Sequence, residues 1–225
     1  MESEIKHQPA FALLEVILQP GESVAAEAGS MVSHGEGIDI ETNASGGLLG
    51  SLKRSVLGGE SFFMNTFTAS RVSSVTLAPP LPGDIIRHDI EDETLYVQSG
   101  SYLAAETDID IDTQFGGAKT FFGSEGLFLL ELIGTGPTFL SSYGAIREQE
   151  LDAGETYTVD TGHVVAFESS VDFTVDRVGG LKSTLFSGEG LVCRFNGPGS
   201  IWLQSRSHDA FLAWVIPRLP TNDSN

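Results

Sequence analysis

Four lysines occur in this chain, and three of them stand in matching surroundings. Lys53, Lys119 and Lys182 each precede a glutamate by six or seven residues, namely Glu60, Glu125 and Glu189. Cations repeated in this way could gather an anion or a partner at one shared site. The plainer reading is a Lys–Glu pair that pins a glycine-rich loop, worth about 0.2–1 kcal/mol when exposed. His163 is a second candidate, since a strand histidine close to Asp160 can act as a ligand or as an acid–base group. Its plainer reading is a hydrogen-bonded strand residue. No second His or Cys lies at metal-ligand spacing from it, so neither a zinc nor an iron site is expected.

Three further patterns invite chemistry and are set aside. Cys193 could be a nucleophile with His163 as its base. Counted four residues beyond Glu189, however, it takes the place that Met64 and Leu129 hold beyond their own glutamates, which marks it as core. Asp108, Asp110 and Asp112 resemble a hard-cation site. Alternating acids on a strand more often face solvent and discourage edge pairing. The stretch from Gly46-Gly47 to Ser55 contains Gly, Lys and Ser but lacks phosphate-loop spacing, because Ser51 and Leu52 separate Gly50 from Lys53. No catalytic residue, metal or cofactor is expected.

The elements that must carry these residues repeat three times. PGESVAAEAGSMVSHGEGIDIET begins at Pro20, PGDIIRHDIEDETLYVQSGSYLAAETDIDIDT at Pro82, and AGETYTVDTGHVVAFESSVDFTV at Ala153. Each opens on Gly and an acid (Gly21-Glu22, Gly83-Asp84, Gly154-Glu155), which reads as a turn. Each then sets a glycine (Gly29, Gly100, Gly162) ten residues before an aspartate (Asp39, Asp110, Asp172) in an alternating strand. His163 falls where the other copies have Ser30 and Ser101. A Gly-Gly pair and the lysine, glycine-rich turn and glutamate follow, and the glutamates lie 65 and 64 residues apart. The chain therefore reads as all-β: three tandem repeats (1–77, 78–147, 148–219) forming one compact unit, with a frayed tail at 220–225. Two short helices are expected, Leu48–Leu57 and Asp209–Ile216 before Pro217.

Composition excludes several functions. The 225 residues carry 31 acidic against 12 basic side chains, a formal net charge of -19. Phosphate neutralisation needs a basic face, so nucleic acid is not an expected partner. One cysteine cannot make an intramolecular disulfide framework. The longest uncharged run, 132–146, is interrupted by Gly134, Gly136 and Pro137, so stable membrane insertion is not expected. With no signal-peptide pattern at MESEIKHQPA, the expectation is a cytoplasmic protein. The diffuse acidity suits a salt-loving organism, since at about 1 M salt the screening length is only about 3 Å.

The runs GGESFFMNTFTA, LPGDII, SGEGLFLLEL, FLSSYGAI, DTGHVVAFE, VGGLKSTLFSGEGLVCRF and GPGSIWLQSRS closely resemble a family of uncharacterised microbial proteins. These are related to a fungal mitochondrial-biogenesis (altered inheritance of mitochondria) protein, and the resemblance spans about residues 4 to 219. It implies a TRAP-like (tryptophan RNA-binding attenuator-like) fold of the β-sandwich or double-stranded β-helix kind, tripled in the chain and assembled as a homotrimeric ring. It implies no catalytic residue and no ligand, and the attenuator's RNA binding needs basic side chains that this chain lacks.

Two functions follow as expectations. The first is a non-enzymatic ring that serves as a scaffold or adaptor for a protein partner, with the apolar 48–57 and 210–216 segments buried against a neighbouring subunit. The second is a small-molecule-binding or enzymatic β protein, its pocket between repeats or subunits and lined by the loops at 58–61, 123–126 and 187–190.

Overall fold

Alternation builds this molecule. Across Leu13–Leu18 the side chains of Leu14, Val16 and Leu18 are buried and those between them are not, the pattern of a strand with one face on a core. The computed structural model describes residues 1–44, 63–112, 129–177 and 191–219. Among these, nearly all regular structure is strand, in antiparallel sheets, with one short α-helix. The expected helix at Leu48–Leu57 and the tail at 220–225 lie outside the described residues.

The first stretch contributes β1 (Glu2–Lys6), β2 (Leu13–Leu18), β3 (Ser23–Glu27), β4 (Met31–His34), β5 (Ile38–Ala44), β6 (Phe63–Ala69) and β7 (Ser73–Leu77). Here β2 pairs with β1 and β7, β7 with β4, β3 with β6, and β6 with β5. The middle stretch has two long strands, β8 (Ile85–Gln98) and β11 (Leu129–Ser141), with β9 (Tyr102–Glu106) and β10 (Asp110–Asp112) between them. β11 pairs with β8 along its whole length, and also with β9 near one end and β10 near the other. The last stretch holds β12 (Ile146–Leu151), β13 (Thr156–Asp160), β14 (Val164–Glu168), β15 (Asp172–Arg177), β16 (Leu191–Asn196) and β17 (Gly199–Gln204). Its pairings are β12 with β17, β17 with β14, β13 with β16, and β16 with β15. β12 runs across the boundary expected at 147/148. Helix α1 (His208–Val215) follows, then a 3₁₀ turn at Ile216–Arg218, close to the expected Asp209–Ile216. Ser207 caps α1, its Oγ accepting the Ala210 N–H at 3.3 Å.

Two seams join the stretches. β3 pairs with β9, Ala25 opposite Ala105, and β8 pairs with β14, Tyr96 opposite Phe167. The result is a ten-stranded sheet flanked by a four-stranded one (β1-β2-β7-β4) and a three-stranded one (β13-β16-β15).

The expected Gly-acid turns divide. Gly21 and Gly154 have φ of 89° and 82°, and in both turns the following glutamate accepts a backbone N–H, Glu22 from Gln19 and Glu155 from Asp152. Gly83-Asp84 makes a different structure. Gly83 forms a parallel bridge with Gly144, and a Cβ at Gly83 would stand 1.7 Å from the Ser142 carbonyl oxygen. Along β8, the left-handed residue is instead Asp92, φ 58°, a bulge opposite the Gly134/Thr135 register shift. Aspartate tolerates this region through local hydrogen bonding, which is why a glycine search passes over it.

Three cores form, and none belongs to a single stretch. The first gathers Leu14, Val16, Phe67 and Leu77 with Ile85 and Phe139. The second joins Leu95, Val97, Tyr102 and Leu132 to Val165 and Trp202. In the third, Phe167 lies 4.8 Å from Phe173 and 5.2 Å from both Tyr96 and Phe195, centroid to centroid. Aromatic side chains dominate core energetics by area, and truncating one leaves a cavity. We expect Phe167→Ala to cost about 3–5 kcal/mol, read as a lowered urea midpoint with an unchanged slope.

Candidate functional site

His163 ends the 3₁₀ turn Thr161–His163 that leads into β14. The turn is held from both sides. Asp160 Oδ1 accepts the Gly162 N–H at 2.9 Å, and the buried Gln204 donates from Nε2 to the Gly162 carbonyl at 2.8 Å. Gln204 also accepts the Tyr143 N–H at 2.9 Å through Oε1, while its backbone carbonyl receives His163 Nδ1 at 2.8 Å. A carbonyl only accepts, so Nδ1 carries the hydrogen and the neutral ring keeps Nε2 as an acceptor. Past Gln204 the chain turns at Ser205–Ser207 into α1, which lays His208 parallel to Tyr143 at 5.7 Å and Phe211 edge-on to it at 6.0 Å. Burial pushes the His208 imidazole pKa down, which favours its neutral form.

Between this helix and the end of β17 lies a cleft of about 440 Å³. Its walls include Tyr143, His163, Arg206, Ser207, Phe211 and Trp214. The size suits a small organic molecule. Trp214 is 57% exposed, and the Arg218 guanidinium sits 4.8 Å from its ring centroid.

Of the residues singled out by sequence, His163 alone falls at this cleft. Lys53, Lys119, Lys182, Glu60, Glu125 and Glu189 lie outside the described residues, as do the phosphate-loop-like stretch and the three loops expected to line a pocket. Cys193 is fully buried in the third core, as the count along the chain suggested. The pairing register refines that count by one residue. Met64 lies opposite Glu27 and Leu129 opposite Gln98, and the residue opposite Asp160 is Val192, with Cys193 opposite Val159. Asp110 and Asp112 point outward on β10 while Ile109 packs on the second core. Among the described residues no three His, Cys, Asp or Glu side chains converge as a metal site. Tyr143, Arg206, Phe211 and Trp214 were missed because they come from two distant stretches and share no spacing motif. The Ala210–Ile216 run was the visible signal, read as a subunit contact.

A model of the mitochondrial biogenesis AIM24 family matches residues 3–206. The chain belongs to that family. An uncharacterised protein of Streptococcus pyogenes serotype M6, M6_Spy0233, is 31% identical over 232 residues, covering 100% of this chain and 93% of its own length. The crystal structure of SPYM3_0169, also from Streptococcus pyogenes, superposes with a TM-score of 0.81 at 30% identity, over 97% of this chain and 99% of that one. These relatives bring no substrate or partner with their names.

One carboxyl of this AIM24 chain stands out electrostatically. Glu27, the last residue of β3, has its pKa pushed up from 4.5 to about 7 by burial. It lies beside Tyr102, whose hydroxyl donates to the Ala25 carbonyl at 3.1 Å and whose own pKa is raised by burial and then by the Glu27 charge. A carboxyl whose folded pKa is raised holds its proton longer in the folded state. Its contribution is therefore greatest below pH 4.5 and is lost as pH rises through 7. We expect stability to fall by roughly 1–3 kcal/mol between about pH 5 and pH 8, and Glu27→Gln to flatten that slope in urea titrations.

Proposed function

We propose that this chain is a threefold repeat of a TRAP-like unit that assembles head to tail into a homotrimeric ring, and that the ring is a non-enzymatic scaffold or adaptor. The pairings support the repeat. With β1 set aside and β8 and β11 counted as two strands each, in each stretch the first strand pairs with the last, the last with the third, the second with the fifth, and the fifth with the fourth. The seams keep one register as well. Ala26, three residues before Gly29, faces Ala104, four after Gly100; Val97, three before Gly100, faces Ala166, four after Gly162.

The observation that carries the ring is what this register leaves over. Among the described residues β4 pairs only with β7, and β13 only with β16. The same rule would set Ser33 of one copy against Val159 of the next. Each third strand also bulges at the same place, at Val32, Leu103 and Val165. At the two seams Tyr102, Leu103, Val164 and Val165 are wholly buried. On the open edge their counterparts Met31 and Val32 are 40% and 55% exposed. Burying such side chains contributes about 1.5–3 kcal/mol each, and a second copy of β13 fits that edge. A heterologous contact of this kind closes into a ring when the rotation permits.

No helix among the described residues is long and apolar enough to cross a membrane. The partner held by the ring would be a protein rather than a polyanion, given the net charge of -19, and the cytoplasm of a salt-adapted cell suits that charge. Light scattering tests the assembly. In about 2 M potassium chloride, where surface repulsion is screened, we expect about three times the 24.0 kDa chain mass, falling at about 0.1 M. Val32→Asp should leave a folded monomer at both salts. A wild-type monomer at both salts would overturn the ring.

A further inference from the structure

We propose that the cleft between α1 and the end of β17 binds a small aromatic acid, with Arg206 holding the carboxylate. Three features of the cleft point to this class. First, its apolar walls are rings: Tyr143, Phe211 and Trp214 surround a space of about 440 Å³, large enough for one or two fused rings. Second, Arg206 lines it without a carboxylate within ion-pair distance among the described residues. Arg147, Arg194 and Arg218 share that state, but of these cations Arg206 alone lines the cleft, where its guanidinium can meet an acid from outside. Its one described hydrogen bond, Nη1 to the Ser205 carbonyl at 3.3 Å, leaves donors for a planar carboxylate.

Third, the neutral form of His163 presents an acceptor. Because Nδ1–H is committed to Gln204, Nε2 offers a lone pair, which matches a hydroxyl or ring N–H on the ligand. Arg206 disfavours a cationic ligand, although three rings alone would suit one. The net negative charge does not decide the matter, since at about 0.15 M salt charges beyond about 8 Å are screened and the adjacent guanidinium dominates. This reading concerns a site within one chain and stands whether or not the ring forms.

The test uses the intact protein and the emission of Trp214, because Trp202 is 5% exposed. Titrating 4-hydroxyphenylacetate should give saturable quenching. Tyrosol, which has the same ring and an alcohol for the carboxylate, should bind at least about tenfold more weakly, and tyramine more weakly still. Arg206→Gln should weaken 4-hydroxyphenylacetate by about tenfold or more with an unchanged thermal midpoint, and Arg206→Lys should restore part of the affinity. If Arg206→Gln lowers the thermal midpoint, calorimetry on Arg206→Lys against tyrosol decides the carboxylate preference. The proposal fails if there is no saturable binding up to about 10 mM, if tyramine or tyrosol binds as well as the acid, or if Arg206→Gln binds unchanged.

Discussion

Everything in this molecule hangs on the two seams, β3 against β9 and β8 against β14. A seam is a run of backbone hydrogen bonds, but its position also decides which side chains are shared. With Ala25 opposite Ala105, the first core acquires Leu103 and Ala104; with Tyr96 opposite Phe167, the third acquires its central aromatic contact. A slip of one residue would turn these side chains to the wrong face. The cores are therefore completed by neighbours. Ile85 and Phe139 fill the first, Val165 and Trp202 the second, and Tyr96 and Leu129 the third. No stretch has a finished interior of its own.

The cleft inherits its order from the same framework. Gln204 ends β17, where β12 and β14 grip that strand from either side. From there its amide and carbonyl reach Gly162, Tyr143 and His163. A network in which one residue ties two separate segments to its strand is stiff, because loss of one partner strands the others in a low-dielectric interior. The aromatic wall that α1 supplies is less enclosed. Phe211, Leu212 and Trp214 remain substantially exposed, and the helix is anchored at its start by the Ser207 cap.

What could be read beforehand was what local chemistry encodes. The alternating strand at Asp110–Asp112, the helix ahead of Pro217, and the buried Cys193 all depend on neighbours close in sequence or on a simple count, although Asp108, expected on the same strand, lies in the turn before it. Gly29, Gly100 and Gly162 each do lead into a strand, and Asp39, Asp110 and Asp172 each lie in a later one. The misreadings arose where two different structures share one composition. Gly83-Asp84 looks like Gly21-Glu22, yet it is a parallel bridge packed on the Ser142 carbonyl, while the left-handed residue of that stretch's long strand is Asp92. Cys193 was misplaced by one register position because the connecting segments differ in length. The cleft was illegible, since Tyr143 and Arg206 are brought together by β12 pairing with β17 and by the Arg206 N–H donating to the Tyr143 carbonyl at 3.2 Å, contacts that no local spacing encodes.

The pairing of first strand with last has a consequence for the newborn chain. Leu14 meets Leu77, Ile85 meets Ser141, and Leu151 meets Gly199. A ribosome must therefore deliver the middle and last stretches to their ends before their opening strands find that mate, while β2 has β1 alone until β7 arrives. Until then β2, with three buried apolar side chains to hide, waits in an unfinished state. At about 5–20 residues per second that wait lasts several seconds, and long-range strand pairing is itself slow.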